Sequence, residues 1–174
     1  MSSMTIMAIL ISPMIVPLII TAAGMFFFYA RINLVYTFTG VILAHVALAT
    51  PFVVITVTAT LVGFDMNMVK AAQSLGAKPM RTFFKVIMPL ILPGIISGAL
   101  FAFITSFDEV VIVMFMASID QLTIPKQMWA GIRQEISPVI LCMATCLVLL
   151  SIFLLTTVEL LRRRSEKLRG IKAR

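Results

Sequence analysis

Charge is what this sequence has least of. Only 12% of its 174 residues are Asp, Glu, Lys or Arg, against about a quarter in an average soluble domain. None at all occurs at 1–30, 32–64, 86–107 or 136–158. With 61% apolar residues and a mean hydropathy of +1.11, a chain this short has no core large enough to hide them, so a soluble globular fold is excluded. Histidine occurs once, as His45, and cysteine twice, as Cys142 and Cys146. That scarcity excludes a zinc-ligand cluster, and no phosphate-binding loop or serine elbow is present. The two cysteines lie one helical turn apart in an apolar run and read as small packing residues, because helix geometry does not favour a disulfide between them. His45, alone in another such run, reads as a hydrogen-bond partner for a neighbouring helix ahead of a proton relay, since one His rarely suffices for such work. The sequence offers no enzyme active site, so the energy for any work comes from elsewhere.

What is present is long apolar runs. Each exceeds the about 20 residues that a helix needs to cross a bilayer at about 1.5 Å per residue. Helices satisfy their own backbone in lipid, and the runs lack the strict alternation of a membrane barrel. The sequence therefore predicts an all-α integral membrane protein with four transmembrane helices, over about 5–30, 37–61, 90–117 and 137–159. A loop at about 65–88 separates the second and third, the membrane domain as a whole is 1–161, and 162–174 is a basic tail. The first run lacks a basic leader region and is read as a retained helix. Pro13, Pro17 and Pro51 predict kinks within a packed bundle, and Gly94 with Gly98 predicts a close helix approach.

Eleven of the fourteen cations fall on one side of this arrangement: Lys70, Lys78, Arg81 and Lys85 in the loop, and seven from Arg162 to Arg174 in the tail. Arg31, Lys126 and Arg133 fall on the other, where Trp129 is placed as an interfacial anchor. The positive-inside rule then puts the loop and both termini in the cytoplasm. A juxtamembrane basic tail is accounted for by anionic lipid, with no nucleic acid required.

Two stretches stand out. The first is "KAAQSLGAKPMRTFFKVIMPLILPGI", 70–95. Its composition predicts a short helix from Val69 to Ala77 ended by Pro79, then a second from Met80 to Ile87 with an apolar face of Phe83, Phe84 and Ile87. Small residues at Ala71, Ala72, Gly76 and Ala77 let another protein's surface come close to the backbone. On the residues alone, an ordinary interfacial helix resting on the bilayer stands beside a docking element. The second stretch is "SFDEVV", which places Asp108 and Glu109 inside the expected third span. A carboxylate at depth costs a few kcal/mol, so it faces a watery cavity, pairs with another helix, or lies near the hydrated interface. Helical neighbours are about 100° apart, so both acids can border one cavity but cannot point the same way. Asp65 and Glu159 read as boundary charges.

The first stretch resembles the EAA motif of binding-protein-dependent ABC transporter permeases: Ala71-Ala72, Gly76, Val86, Met88 and Pro89 stand at the motif's places, and Lys70 stands where the motif has Glu. "HVALATPFVV" and "FAFITSFDEVVIVMF" are similar to the spermidine/putrescine branch of that family. The resemblance covers nearly the whole chain. It implies the C-terminal four helices of a six-helix importer permease in a prokaryotic inner membrane. It also implies a coupling helix, with Lys70, Ala71, Ala72, Gly76, Ala77, Phe83 and Phe84 at the contact with an ATPase. Asp108 and Glu109 become candidates for a polyamine pathway. Expected partners are ATPase subunits, a second permease subunit, an external solute-binding protein and membrane lipid. ATP and magnesium would be held by the ATPase, with no cofactor on this chain. The competing expectations are the same architecture carrying ferric iron, thiamine or an anion, and an ATPase-independent carrier or membrane scaffold.

Overall fold

The computed structural model describes residues 3–134 and 137–168, and among these every regular element is helical. In chain order they are α1 (Ser3–Ile15), α2 (Leu18–Arg31), α3 (Phe38–Val62), α4 (Asn67–Ser74), α5 (Pro79–Thr82), a π-helical turn (Phe83–Ile87), α6 (Met88–Phe107), α7 (Val111–Met116), a 3₁₀ turn (Ile119–Gln121), α8 (Ile124–Gln134) and α9 (Pro138–Leu168). Phe38–Val62, Pro79–Phe107 and Pro138–Thr157 are long and apolar enough to cross a membrane. The bent pair α1 and α2 brings the number to four if it counts as one crossing.

The first expected span is thus corrected: it is two helices at 111° to each other. Pro17 explains the break. Its ring keeps Val16 out of helical geometry and it has no N–H for the ladder. It takes extended backbone (φ −52°, ψ 132°), and its carbonyl then accepts from Ile20 and Thr21 to start α2. Pro51, by contrast, sits buried inside an unbroken α3.

The third span is corrected at both ends. It is continuous from Pro79, through the π turn, and stops at Phe107 rather than near 117. The π turn closes with Met88 N–H donating to Phe83 O, five residues back, just before Pro89. An α-helical path would press the Pro89 ring against the Lys85 carbonyl, and the wider turn relieves that contact.

α3 and α6 form the most extensive helix pair. Gly94 and Gly98 lie against Thr60 and Thr56: a Cβ on either glycine would collide with the facing threonine Oγ1. The threonine hydroxyls donate to their own helix, Thr56 to Phe52 O and Thr60 to Thr56 O, both at 2.9 Å. That turns their oxygens outward and leaves only a glycine-sized gap between the helices.

The buried core lies around α7. Ile112, Val113 and Met116 have no exposed surface and pack against Ala22 of α2 and Val41, Ala44 and Leu48 of α3. α9 stands clear, with no residue of 138–157 buried within the chain. Its exposed Leu149, Ile152 and Phe153 suit a lipid-facing or partner-facing surface. The helix continues to Leu168, and tail residues 169–174 lie outside the described residues.

Candidate functional site

The loop after α3 is held by local chemistry. Asp65 Oδ1 accepts from Asn67 N–H at 2.9 Å and starts α4, with its charge at the helix N-terminus. α4 ends at Ser74, earlier than expected, and Gly76 rather than Pro79 ends it. Gly76 has φ +79°, its N–H donates to Gln73 O at 2.9 Å, and Ala77 N–H donates to Ala72 O at 3.0 Å. These two bonds are the Schellman arrangement, whose left-handed residue is normally glycine. A Cβ on Gly76 would meet nothing within 4 Å, so local conformation rather than crowding requires glycine there. Pro79 instead opens α5, where it needs no N–H partner.

This geometry divides the seven loop candidates. Lys70, Ala71, Gly76, Phe83 and Phe84 are exposed, whereas Ala72 and Ala77 are half-buried. Phe83 and Phe84 meet edge to face at 5.1 Å. Leu75 (87% exposed) and Met80 (71% exposed) extend the outward apolar surface. Sequence reasoning passed over both. Their signal was an apolar side chain in a charged loop with no helical face to share.

The acidic pair sits at the opposite end of the same long helix, in a break rather than within a span. Asp108 N–H donates to Ile104 O, the last rung of α6, and Asp108 is exposed. Glu109 is 6% exposed, and its Oε1 accepts from Ile112 N–H at 2.7 Å. α7, though buried, has its ends satisfied from outside. Glu109 takes an N-terminal donor, Tyr36 N–H donates to Met116 O at 2.9 Å, and Lys126 Nζ donates to Ala117 O (3.0 Å) and Val113 O (3.3 Å). A carboxylate thus lies at the positive end of the short helix and an ammonium at its negative end.

The two acids border different clefts. Asp108 borders a cleft of about 890 Å³ with Trp129 and Ser151, while Glu109 borders one of about 550 Å³ with His45, Ser106 and Thr123. Phe103 and Phe107, stacked at 5.3 Å, line both. The pair is split because a helix break, not a helical turn, joins the two residues. His45 Nδ1 lies 2.9 Å from Ser106 Oγ, linking α3 to α6 as its isolation in an apolar run suggested.

The Glu109 contact makes a prediction. Glu109→Ala strands the Ile112 N–H in a buried site and should cost about 1–3 kcal/mol. Glu109→Gln keeps an acceptor and should melt close to wild type. Equal melting of all three in detergent would show that this contact does not hold α7.

Bilayer-length helices, with a short buried helix and clefts at an acidic break, describe a multi-pass membrane protein. In particular, the chain belongs to the family of binding-protein-dependent transport system inner membrane components, which it matches over residues 2–167. It is 30% identical over 153 residues to the spermidine/putrescine transport system permease protein PotC of Haemophilus influenzae, covering 88% of this chain and 60% of that protein. It is 29% identical over 154 residues to PotC of Escherichia coli, with 88% and 58% covered. The putrescine transport system permease protein PotI of Escherichia coli is 37% identical over 103 residues, 59% of this chain and 37% of that protein. The chain spans about three fifths of the length of the PotC relatives it matches.

Proposed function

We propose that this chain forms part of the permease of an ATP-driven polyamine importer. The observation that carries the reading is the acidic break after α6. There an exposed and a buried carboxylate flank stacked aromatic rings in a multi-pass membrane protein. An alkylammonium leaving water needs its lost hydration offset, and carboxylates with aromatic faces supply that without binding too tightly for release. The names of the relatives favour the same solute class, whereas an anion would be repelled by both acids.

In this reading the Lys70 loop faces the cytoplasm, as the cation distribution favours, and so do both termini. The loop's exposed Leu75, Gly76, Met80, Phe83 and Phe84 seat on an ATPase that holds ATP and magnesium, and Lys70 lies on that outward face. A second permease subunit covers the open side of the bundle, and an external binding protein delivers solute. This chain positions and moves; it catalyses no bond change.

The test is uptake by the complete transporter. Asp108→Asn with Glu109→Gln should cut polyamine uptake tenfold or more, an effect on the order of 1.4 kcal/mol in the barrier, while membrane level and assembly stay normal. Asp108→Asn alone should give much of the loss, because among the described contacts it is the Glu109 carboxylate that holds α7. Undiminished uptake by the double amide would remove the acids from the pathway.

A further inference from the structure

The proposed function leaves the chemistry of Lys126 unused. Its ammonium is half-buried and is held by two backbone carbonyls, Ala117 O and Val113 O. Both belong to the C-terminal end of α7, where carbonyl dipoles add up to partial negative charge. Val113 O also accepts from Ala117 N–H at 3.0 Å, so its second lone pair serves the lysine. No carboxylate takes part among the described contacts. The arrangement is a neutral cage for an R–NH₃⁺ group, lined by residues with almost no exposed surface.

A lysine side chain is a four-carbon stem ending in a primary ammonium. That is n-butylammonium, the same chemical group as the end of a linear polyamine. We infer that the carbonyls of Val113 and Ala117 form an alkylammonium site that Lys126 occupies as a built-in ligand, and that a polyamine ammonium displaces it. The displacement half rests on the polyamine reading above; the existence of the site does not.

The fold says what displacement does. Lys126 lies in the first turn of α8, next to Pro125, which lines both clefts. Trp129 and Met128, within the next turn, line the cleft that Asp108 borders. With Lys126 seated, α8 is tied to the buried α7. With Lys126 released, that tie is lost and the Asp108 cleft loses a fixed wall. A tethered ligand competes at an effective concentration in the millimolar range, so the exchange needs locally concentrated or multiply held ammonium.

The permease purified in detergent provides the test. Lys126→Ala empties the cage and should lower the melting temperature. Added n-butylammonium should restore it saturably, whereas tetramethylammonium, which carries the charge but no N–H, should not. A folded Lys126→Ala protein indifferent to butylammonium would overturn the site. Wild type supplies a second measurement that needs no substitution to fold. Trp129, the single tryptophan of these residues, should change its emission saturably with putrescine, with Trp129→Phe as the blank. The midpoint should lie about tenfold or more above the butylammonium midpoint of Lys126→Ala, because wild type must expel its own ligand. A flat titration, or an equal response to tetramethylammonium, would overturn displacement. The butylammonium rescue of Lys126→Ala needs neither uptake nor the Asp108 cleft, so the polyamine pathway and this site can fail separately; an emission change that persists undiminished in Lys126→Ala would assign the Trp129 response to the cleft and overturn displacement.

Discussion

Gly98→Val should leave almost no folded permease in the membrane. A Cβ at Gly98 would stand 3.0 Å from the Val53 Cα and closer still to Thr56 Oγ1. A threonine side chain can rotate, but a backbone atom in the middle of α3 cannot step aside without moving the helix. α3 also packs against α1, α6 and α7, so such a shift reaches the rest of the bundle. Overpacking of this kind costs typically 1–3 kcal/mol, and two branched methyls against backbone belong at about 3 kcal/mol or above. Gly24→Ala is the control, since a Cβ there meets nothing within 4 Å. It should melt within about 0.5 kcal/mol of wild type. The measurement is protein recovered from membranes, with thermal melting of whatever is recovered. Equal recovery of Gly98→Val and Gly24→Ala would mean that the α3–α6 pair is not packed this closely.

If the loop docks on an ATPase as proposed, Gly76→Val should sever that contact while the chain still inserts normally. The left-handed conformation at φ +79° costs an ordinary L-residue about 1–2 kcal/mol, and a β-branched one suffers most. The chain relieves that strain by giving up the Gln73 and Ala72 carbonyl bonds, which turns α4 away from α5. Recovery of the ATPase with the permease from detergent extract should fall about tenfold or more, since 1.4 kcal/mol corresponds to tenfold in binding. Gly76→Asn should keep most of the recovery despite its larger side chain, because asparagine tolerates this region. Loss with both would point to side-chain crowding at the docking surface. Loss with neither would take the loop out of docking.

Several features were legible without coordinates because they depend on neighbours in sequence. Apolar run lengths gave bilayer-length helices, and α3 differs from its expected bounds by a single residue at each end. The Gly94–Gly98 spacing announced a close helix contact, though not that Thr56 and Thr60 would be its other half. The lone His45 implied a partner on another helix, and Ser106 proved to be it. The small residues of the loop were visible too, but their roles were not. Ala72 and Ala77 turn partly inward, and Gly76 is needed for its backbone angle.

Where apolar content is uniform, hydropathy has no means of placing a break. Span one reads as a single run across Pro17, and span three as a single run across Asp108 and Glu109. Composition and charge alone determined that this chain lives in a bilayer and that it is helical. Only the tertiary structure decided that 111–116 would leave the third span and become the buried centre of the bundle. A helix that short is not stable by itself. It exists because Ile112, Val113 and Met116 are buried against α2 and α3. Glu109 just before it, Lys126 nine residues beyond Ala117 and the distant Tyr36 satisfy its ends. Tyr36 and the core residues of α2 and α3 are far from α7 in sequence, and they meet it only once those helices have packed.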